Sequence, residues 1–250
     1  VKKVAEFLNI TDVLHKTPRG MNQSELQRVA LARTLVTKPS ILLLDEPLSN
    51  LDAAFRLRMR VELKRLHLDL KQTVIYVTHD QIEAMSMSDK IAVMSMGKLQ
   101  QYGTPEEIYG HPKNRFVAGF IGSPPMNFIE GTYEEGDGKA YVNQGSFKVD
   151  VTKFRDIIQK HSTSPELTLG IRPEDVRILD KPAKESFEAA VYVTEPLGVK
   201  TIVNLSIGKG SIIKAMGSPG VPYRVGDKKW VELKPEKLHV IDRKTESVIV

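Results

Sequence analysis

The residues that most restrict this chain are two short apolar runs, ILLL at 41–44 and VIYV at 74–77. Neither alternates with polar residues, which is the pattern of parallel strands buried on both faces. Between them lies AAFRLRMRVELKRLHLDLK, where Phe55, Met59, Leu63, Leu66 and Leu70 recur at helical spacing. Asp52 stands where a helix N-cap is expected. A strand, a helix and a second strand of these lengths form a right-handed crossover unit. Such a unit binds ligands at the carboxyl edge of its strands. Asp45 and Glu46 leave the first strand at that edge, and Thr78 and His79 leave the second. The spacing therefore brings polar side chains from two distant stretches to one rim.

Two adjacent carboxylates repel unless a partner stabilises their charge, and a bound cation is the natural partner. A hydrolytic phosphate site needs a magnesium anchor, a group that orients water and a sensor of the terminal phosphate. Asp45 suits the metal, held mostly through water because Mg²⁺ keeps much of its hydration shell. Glu46, one residue on and pointing differently, suits polarising the attacking water. His79 suits contact with a γ-phosphate. A lone acidic pair is otherwise solvated surface, but the apolar run ahead of Asp45 argues against that here. The remaining histidines, His15, His67, His111, His161 and His239, have no comparable context.

Cap signals agree with this layout. Asp80 and Glu83 have capping-box spacing for a helix after His79. In TPEEIY, Thr104 caps, Pro105 takes the first helical position, and Glu106 and Glu107 favour the positive helix end. After about residue 120 the texture changes. SPPMN at 123–127 is a proline-rich joint. Beyond it come the β-type runs NFIEGTY, KAYVNQG, SFKVDV, LTLGIRP, SFEAAVYVTEP, KTIVNLSIG, SIIKAM and KKWVELK, closely punctuated by Gly and Pro. They predict a small all-β barrel or sandwich.

Composition sets the outer limits. A chain of 250 residues with 41% hydrophobic and 27% charged content can build one large core or two ordinary ones. Cysteine is absent, so no disulfide framework exists. No apolar stretch approaches the ~20 residues of a spanning helix, so any pore would be formed by other chains. No signal peptide is visible. The net charge of +5 fits an anionic ligand, a nucleic acid or a membrane surface. Nucleic acid is the weakest of these: aromatics are 6%, Trp230 is the single tryptophan, and no aromatic-basic stripe offers stacking platforms.

At this point a family enters. The stretch QRVALARTLVTKPSILLLDEPLSNLDAAFR, followed by VIYVTHDQIEAMSMSDKIAVMSMGKLQQYGTPEEIY, resembles the second half of an ABC-transporter ATPase. DEPLSNLD is similar to the family's Walker B strand and D-loop, and His79 stands where the family has its switch histidine. Past the joint, FIGSPPMNF, LGIRPEDV, VTEPLG and KPEKLHVIDRKT resemble the regulatory extension of maltose-type importers. The resemblance implies an α/β P-loop NTPase-like partial domain at 1–121 and an OB-like β regulatory or dimerisation domain at 122–250. It implies a cytoplasmic subunit, peripheral on the inner face of the membrane, that uses ATP and Mg²⁺ to import sugars or related solutes. The implied partners are a second copy in a two-fold dimer, membrane permease subunits and regulatory proteins at the β domain, with no nucleic acid.

Two departures qualify that likeness. No Gly-x-x-x-x-Gly-Lys-[Ser/Thr] occurs, and the family's Q-loop and adenine-stacking aromatic are missing. The opening VKKVAEFLNITDVLHKTPRG, which starts on Val1, resembles the helical subdomain just before the family's signature. The chain is therefore expected to be a C-terminal fragment of a longer ATPase, binding ATP weakly or not at all alone. The alternative is a non-hydrolysing dimerisation or regulatory module with a degenerate site. The signature, usually LSGGQ, aligns with Met21-Asn22-Gln23-Ser24-Glu25. Its physics is a helix N-terminus whose backbone N–H groups meet a phosphate of the opposite subunit. Gln23 and Ser24 replace glycines, Glu25 replaces a neutral Gln, and Gly20 just before is a candidate compensation. Asn22 and Ser24 remain candidate phosphate contacts, Asn22 with Glu25 has capping-box spacing, and Ser49 and Asp52 belong to the D-loop match.

Overall fold

The structure is a computed structural model. It describes every residue except Lys71, Gln72 and Pro219, and at Leu66, Asp69 and Leu70 it describes the backbone alone. By internal contacts the chain divides into Val1–Asp89 and Lys90–Val250.

The first unit begins with helix α1 (Lys2–Phe7) and continues into helix α2 (Gln23–Val36), strand β1 (Ile41–Asp45), helix α3 (Ala53–Leu70), strand β2 (Thr73–Val77) and helix α4 (Gln81–Met87). Strands β1 and β2 pair in parallel, with Ile41 opposite Thr73 and Asp45 opposite Val77. Helix α3 is the crossover between them. Its N-terminus is capped as expected, the Phe55 N–H donating to Asp52 Oδ1 at 2.9 Å. Phe55, Met59 and Leu63 are buried against Leu42, Leu44, Leu48, Leu31 and Leu35. The Leu66 and Leu70 side chains of the predicted stripe lie outside the described residues.

The strands are not buried on both faces. Leu42 and Leu44 are buried, while Ile41, Leu43, Ile75 and Val77 are more than half exposed. A two-stranded sheet covered by helices on one face leaves alternate residues of an all-apolar run in solvent. The run reads as doubly buried because periodicity reports composition along the strand, not which face has a cover.

The second unit opens with a hairpin of β3 (Ile91–Ser95) and β4 (Lys98–Gly103), then helices α5 (Pro105–Gly110) and α6 (Arg115–Phe120). Thr104 and Glu107 form a reciprocal capping box on α5. Next come β5 (Asn127–Gly136), β6 (Lys139–Asn143), β7 (Lys148–Asp150), helix α7 (Arg155–His161), β8 (Glu166–Ile171), β9 (Val176–Leu179), β10 (Ser186–Pro196), β11 (Thr201–Ser206), β12 (Ile212–Gly217), β13 (Lys228–Leu233) and β14 (His239–Asp242). They form two five-stranded antiparallel sheets, ordered β12-β11-β10-β13-β9 and β14-β8-β5-β6-β7. Ile129, Val142, Leu169 and Val240 of one sheet share a core with Val191, Val203, Leu205 and Val231 of the other. Each predicted β-type run is a strand; β9, β14 and the hairpin β3–β4 went unread, as did α7 between two runs.

One buried cation holds the segment that leads into the proline-rich joint. Arg172, 4% exposed, donates from Nη1 to the Ile121 carbonyl at 2.8 Å and from Nη2 to the Tyr109 carbonyl at 2.5 Å. Its guanidinium lies 3.5 Å from the Tyr109 ring centroid. A buried charge needs such partners, and here they are backbone carbonyls of the segment that precedes the sheets.

Candidate functional site

The carboxyl edge of the parallel pair gathers part of the expected constellation. Glu46 N–H donates to the Val77 carbonyl at 2.8 Å, which extends the parallel pairing one step past β1. The chain then turns, with Glu46 at φ 44°. Pro47 disfavours the right-handed helical region for the residue before it, and a left-handed turn carries the carboxylate off the strand direction. Glu46 Oε1 meets His79 Nδ1 at 2.9 Å. A carboxylate accepts, so Nδ1 carries the proton and donates, and Nε2 faces away from the pair. The hydrogen bond to Glu46, reinforced by its charge, holds the His79 pKa above its ordinary value. Both side chains are solvent-accessible, His79 at 72% and Glu46 at 44%.

Asp45 is exposed at the end of β1 and has no hydrogen-bond or ion-pair partner among the described residues. No group of three His, Cys, Asp or Glu side chains among the described residues could hold a metal ion. One open carboxylate fits an ion that keeps most of its water and rides on a ligand's phosphates. It does not fit an ion caged by protein alone.

Thr78 does not join this rim. Its hydroxyl donates to Glu83 Oε2 at 2.8 Å, and the Tyr76 hydroxyl donates to the same oxygen at 2.9 Å. Glu83 is 3% exposed. Burial, and then the Glu83 charge, raise the Tyr76 pKa strongly. This engagement also breaks the expected capping box on α4. Asp80 Oδ1 does accept from the Ile82 and Glu83 N–H groups at 2.7 and 3.3 Å. The Glu83 carboxylate, however, turns inward to two hydroxyls instead of back to Asp80, because buried donors bind a charged acceptor more strongly than an exposed amide does.

At the α2 N-terminus the capping box is complete. Glu25 N–H donates to Asn22 Oδ1 at 2.9 Å, and Asn22 N–H donates to Glu25 Oε2 at 2.8 Å. Lys16 Nζ reaches Glu25 Oε1 at 3.0 Å. The Asn22 N–H and then Lys16 hold the Glu25 pKa low. The carboxylate that would oppose a phosphate is thus turned back and neutralised, and the first turn of α2 stays open at Gln23 and Ser24. Gly20 gives no close approach: a Cβ there would meet only Thr17 Oγ1, at 3.9 Å.

Gln23, Gln27, Asp45, Glu46, Ser49 and Asn50, with Leu26, line one open groove. Asp52 stays apart as the α3 cap. Gln27 was missed by sequence reasoning, although it lies one helical turn after Gln23 on the same face. Its Nε2 donates to the Glu46 carbonyl at 2.9 Å and its Oε1 accepts from Asn50 N–H at 3.1 Å. Arg56 was also missed; it donates to the Leu48, Ser49 and Leu51 carbonyls at 3.2, 3.2 and 3.0 Å.

Comparison with known proteins covers both units. An ABC transporter family model matches residues 1–49, a MalK OB fold domain model residues 122–176, and a TOBE domain model residues 169–241. The chain is similar to the trehalose/maltose import ATP-binding protein MalK of Thermococcus litoralis, 43% identical over 259 residues, covering 100% of this chain and 68% of that protein. It is 41% identical over 254 residues to the maltose/maltodextrin import ATP-binding protein MalK of Mannheimia succiniciproducens, covering 96% and 65%. It is 38% identical over 250 residues to the oligosaccharides import ATP-binding protein MsmX of Bacillus subtilis, covering 98% and 68%. The chain therefore spans about two thirds of the length of these relatives.

Proposed function

This chain belongs to the family of ABC-transporter ATP-binding import subunits that includes MalK, and from that premise we propose that it takes part in ATP hydrolysis driving import of sugars or related solutes. The observation that carries the reading is the 2.9 Å contact of Glu46 with His79 across adjacent strand ends, beside the open Asp45. Asp45 would hold Mg²⁺ through water, and that ion, when bound with nucleotide, supplies charge neutralisation at the phosphates. Glu46 polarises the attacking water and takes its proton. His79, its Nδ1–H committed to Glu46, offers Nε2 to a γ-phosphate oxygen; as imidazolium it donates there, and its raised pKa favours that form.

The first turn of α2, at Asn22, Gln23, Ser24 and Glu25, and the turn at Ser49 and Asp52 complete the site of a second copy. Two copies then form an isologous pair. Residues 1–121 would contribute the ATPase part and residues 122–250 an OB-like domain that mediates pairing and binds regulatory proteins. No described helix is long and apolar enough to cross a membrane, so permease chains would form the pore, with this subunit bound to their cytoplasmic face.

The test is Glu46→Gln in the assembled importer. Loss of the carboxylate removes the acceptor for the water proton, and turnover of ATP falls about a hundredfold or more. Hydrolysis equal to that of the unmodified protein refutes the assignment of Glu46, whereas no ATP turnover in either form favours a non-hydrolysing regulatory module.

A further inference from the structure

Glu46 is held in a backbone conformation that a residue with a β-carbon disfavours, at φ 44°. Such a conformation persists only where its surroundings over-determine it. Four hydrogen bonds hold the Glu46 peptide. Its N–H donates to the Val77 carbonyl at 2.8 Å, and its carbonyl accepts from the Ser49 N–H at 3.3 Å, from Ser49 Oγ at 3.0 Å and from Gln27 Nε2 at 2.9 Å. Ser49 lies in the same turn and moves with it. Gln27 comes from another element, 19 residues earlier. The other end of its amide accepts the Asn50 N–H at 3.1 Å. One side chain therefore grips both ends of the turn from Glu46 to Asn50 and ties it to α2. Arg56, from α3, holds the carbonyls of that turn at Leu48 and Ser49 from a second element.

We propose that Gln27 is a positioning residue for the reaction: its amide locks the Glu46 turn to α2, so that the Glu46 carboxylate is directed at His79 and the groove. Gln27 acts through Glu46, whose carbonyl it holds. It also fixes the distance between Glu46 and the first turn of α2, because Gln23 and Gln27 lie one turn apart on one face of that helix. A displacement of α2 is then transmitted to the turn that carries Glu46 through the hydrogen bonds of one amide. This inference rests on the reading of Glu46 as the group that polarises water.

Two variants separate the two ends of the amide. Gln27→Leu removes all three hydrogen bonds of that amide, to the Glu46 carbonyl, Ser49 Oγ and the Asn50 N–H, at similar volume. Gln27→Glu keeps an acceptor for the Asn50 N–H but sets a carboxylate against the Glu46 carbonyl. Amide hydrogen exchange on the full chain reads the clamp: Asn50 exchanges about five- to tenfold faster in the Leu variant and stays near the unmodified rate in the Glu variant. ATP turnover by the assembled importer reads the positioning: in both variants kcat falls about ten- to a hundredfold, with KM for ATP within about twofold. A merely structural role lowers the thermal midpoint but leaves kcat per folded molecule unchanged. If both variants keep kcat within about twofold while Glu46→Gln abolishes turnover, the positioning role is overturned and the reading of Glu46 stands. If Glu46→Gln itself keeps full turnover, that reading falls and the role of Gln27 falls with it. Should the Leu variant fail to fold, the Glu variant decides alone.

Discussion

Asp242 gives the sharpest test of the energetics, because one buried carboxylate closes the end of a sheet. It is 1% exposed at the end of β14. Oδ2 accepts from the Thr163 N–H at 2.5 Å and the Thr163 hydroxyl at 2.8 Å. Oδ1 accepts from the Lys244 and Thr245 N–H groups at 2.9 and 2.8 Å and from the Thr245 hydroxyl at 3.1 Å. Burial alone raises the pKa of such a group. The hydrogen bonds from Thr163 and Thr245 outweigh that and bring it from the ordinary 3.8 to about 2. At about 1.4 kcal/mol per pH unit the ionised form contributes roughly 2 kcal/mol to folding at neutral pH. The folded pKa is depressed, so this contribution is present above the unfolded value near 3.8 and disappears as pH falls through about 2. Asp242→Asn replaces one acceptor oxygen by a donor that faces two donors of Thr163 or three of Lys244 and Thr245, so it forfeits at least that amount. Urea unfolding followed by the fluorescence of Trp230, which lies on β13 of the same unit, reads the loss. With a slope of about 2 kcal/mol/M the midpoint at pH 7 drops by about 1 M, and the two proteins converge near pH 2. A midpoint shift of about 0.2 M or less at pH 7, or a gap that persists unchanged at pH 2, refutes the reasoning.

The other predictions concern the first unit. His79 should titrate above about 6.5 by NMR, and Glu46→Gln should return it towards that value; equal titration curves would show that the contact is not made in solution. Because the folded pKa is raised, the stabilisation from protonated His79 is full below about 6.5 and is lost as pH rises through the folded value. Met59→Ala removes a side chain 1% exposed beneath β1. It should cost about 2–5 kcal/mol, seen as loss of hydrogen-exchange protection in β1 and β2, and retained protection would show that α3 does not carry that core.

The alternation of strand, helix and strand at 41–77 was legible because short unbroken apolar runs flank a segment whose apolar residues recur at helical spacing. The caps at Asn22, Asp52 and Thr104 were legible for the same local reason, since a cap depends on residues three apart. So were the β-type runs of the second unit. β9 and β14, four residues each, went unread, whereas the three-residue β7 was read from its longer run SFKVDV. The fate of Glu83 could not be read, since its spacing from Asp80 predicts a capping box while the hydroxyls of Tyr76 and Thr78 compete for it only once β2 lies beside α4. Gln27 was invisible for the same reason: a glutamine on a helix face says nothing until a turn 19 residues later folds against it.

The sequence by itself marked Asp45, Glu46 and His79 as candidates for chemistry and placed them at strand ends. Identity and local order place Asp45, Glu46 and His79 at the ends of apolar runs, and the parallel pairing that a helical crossover allows brings those ends to one edge. Only the tertiary structure decided which of these groups meet. It paired Glu46 with His79, drew Thr78 away to Glu83, turned Glu25 back on Asn22 and left Asp45 open. The reason is physical: periodicity encodes burial along one element, whereas a hydrogen bond is chosen among all the donors and acceptors that folding brings within about 3 Å.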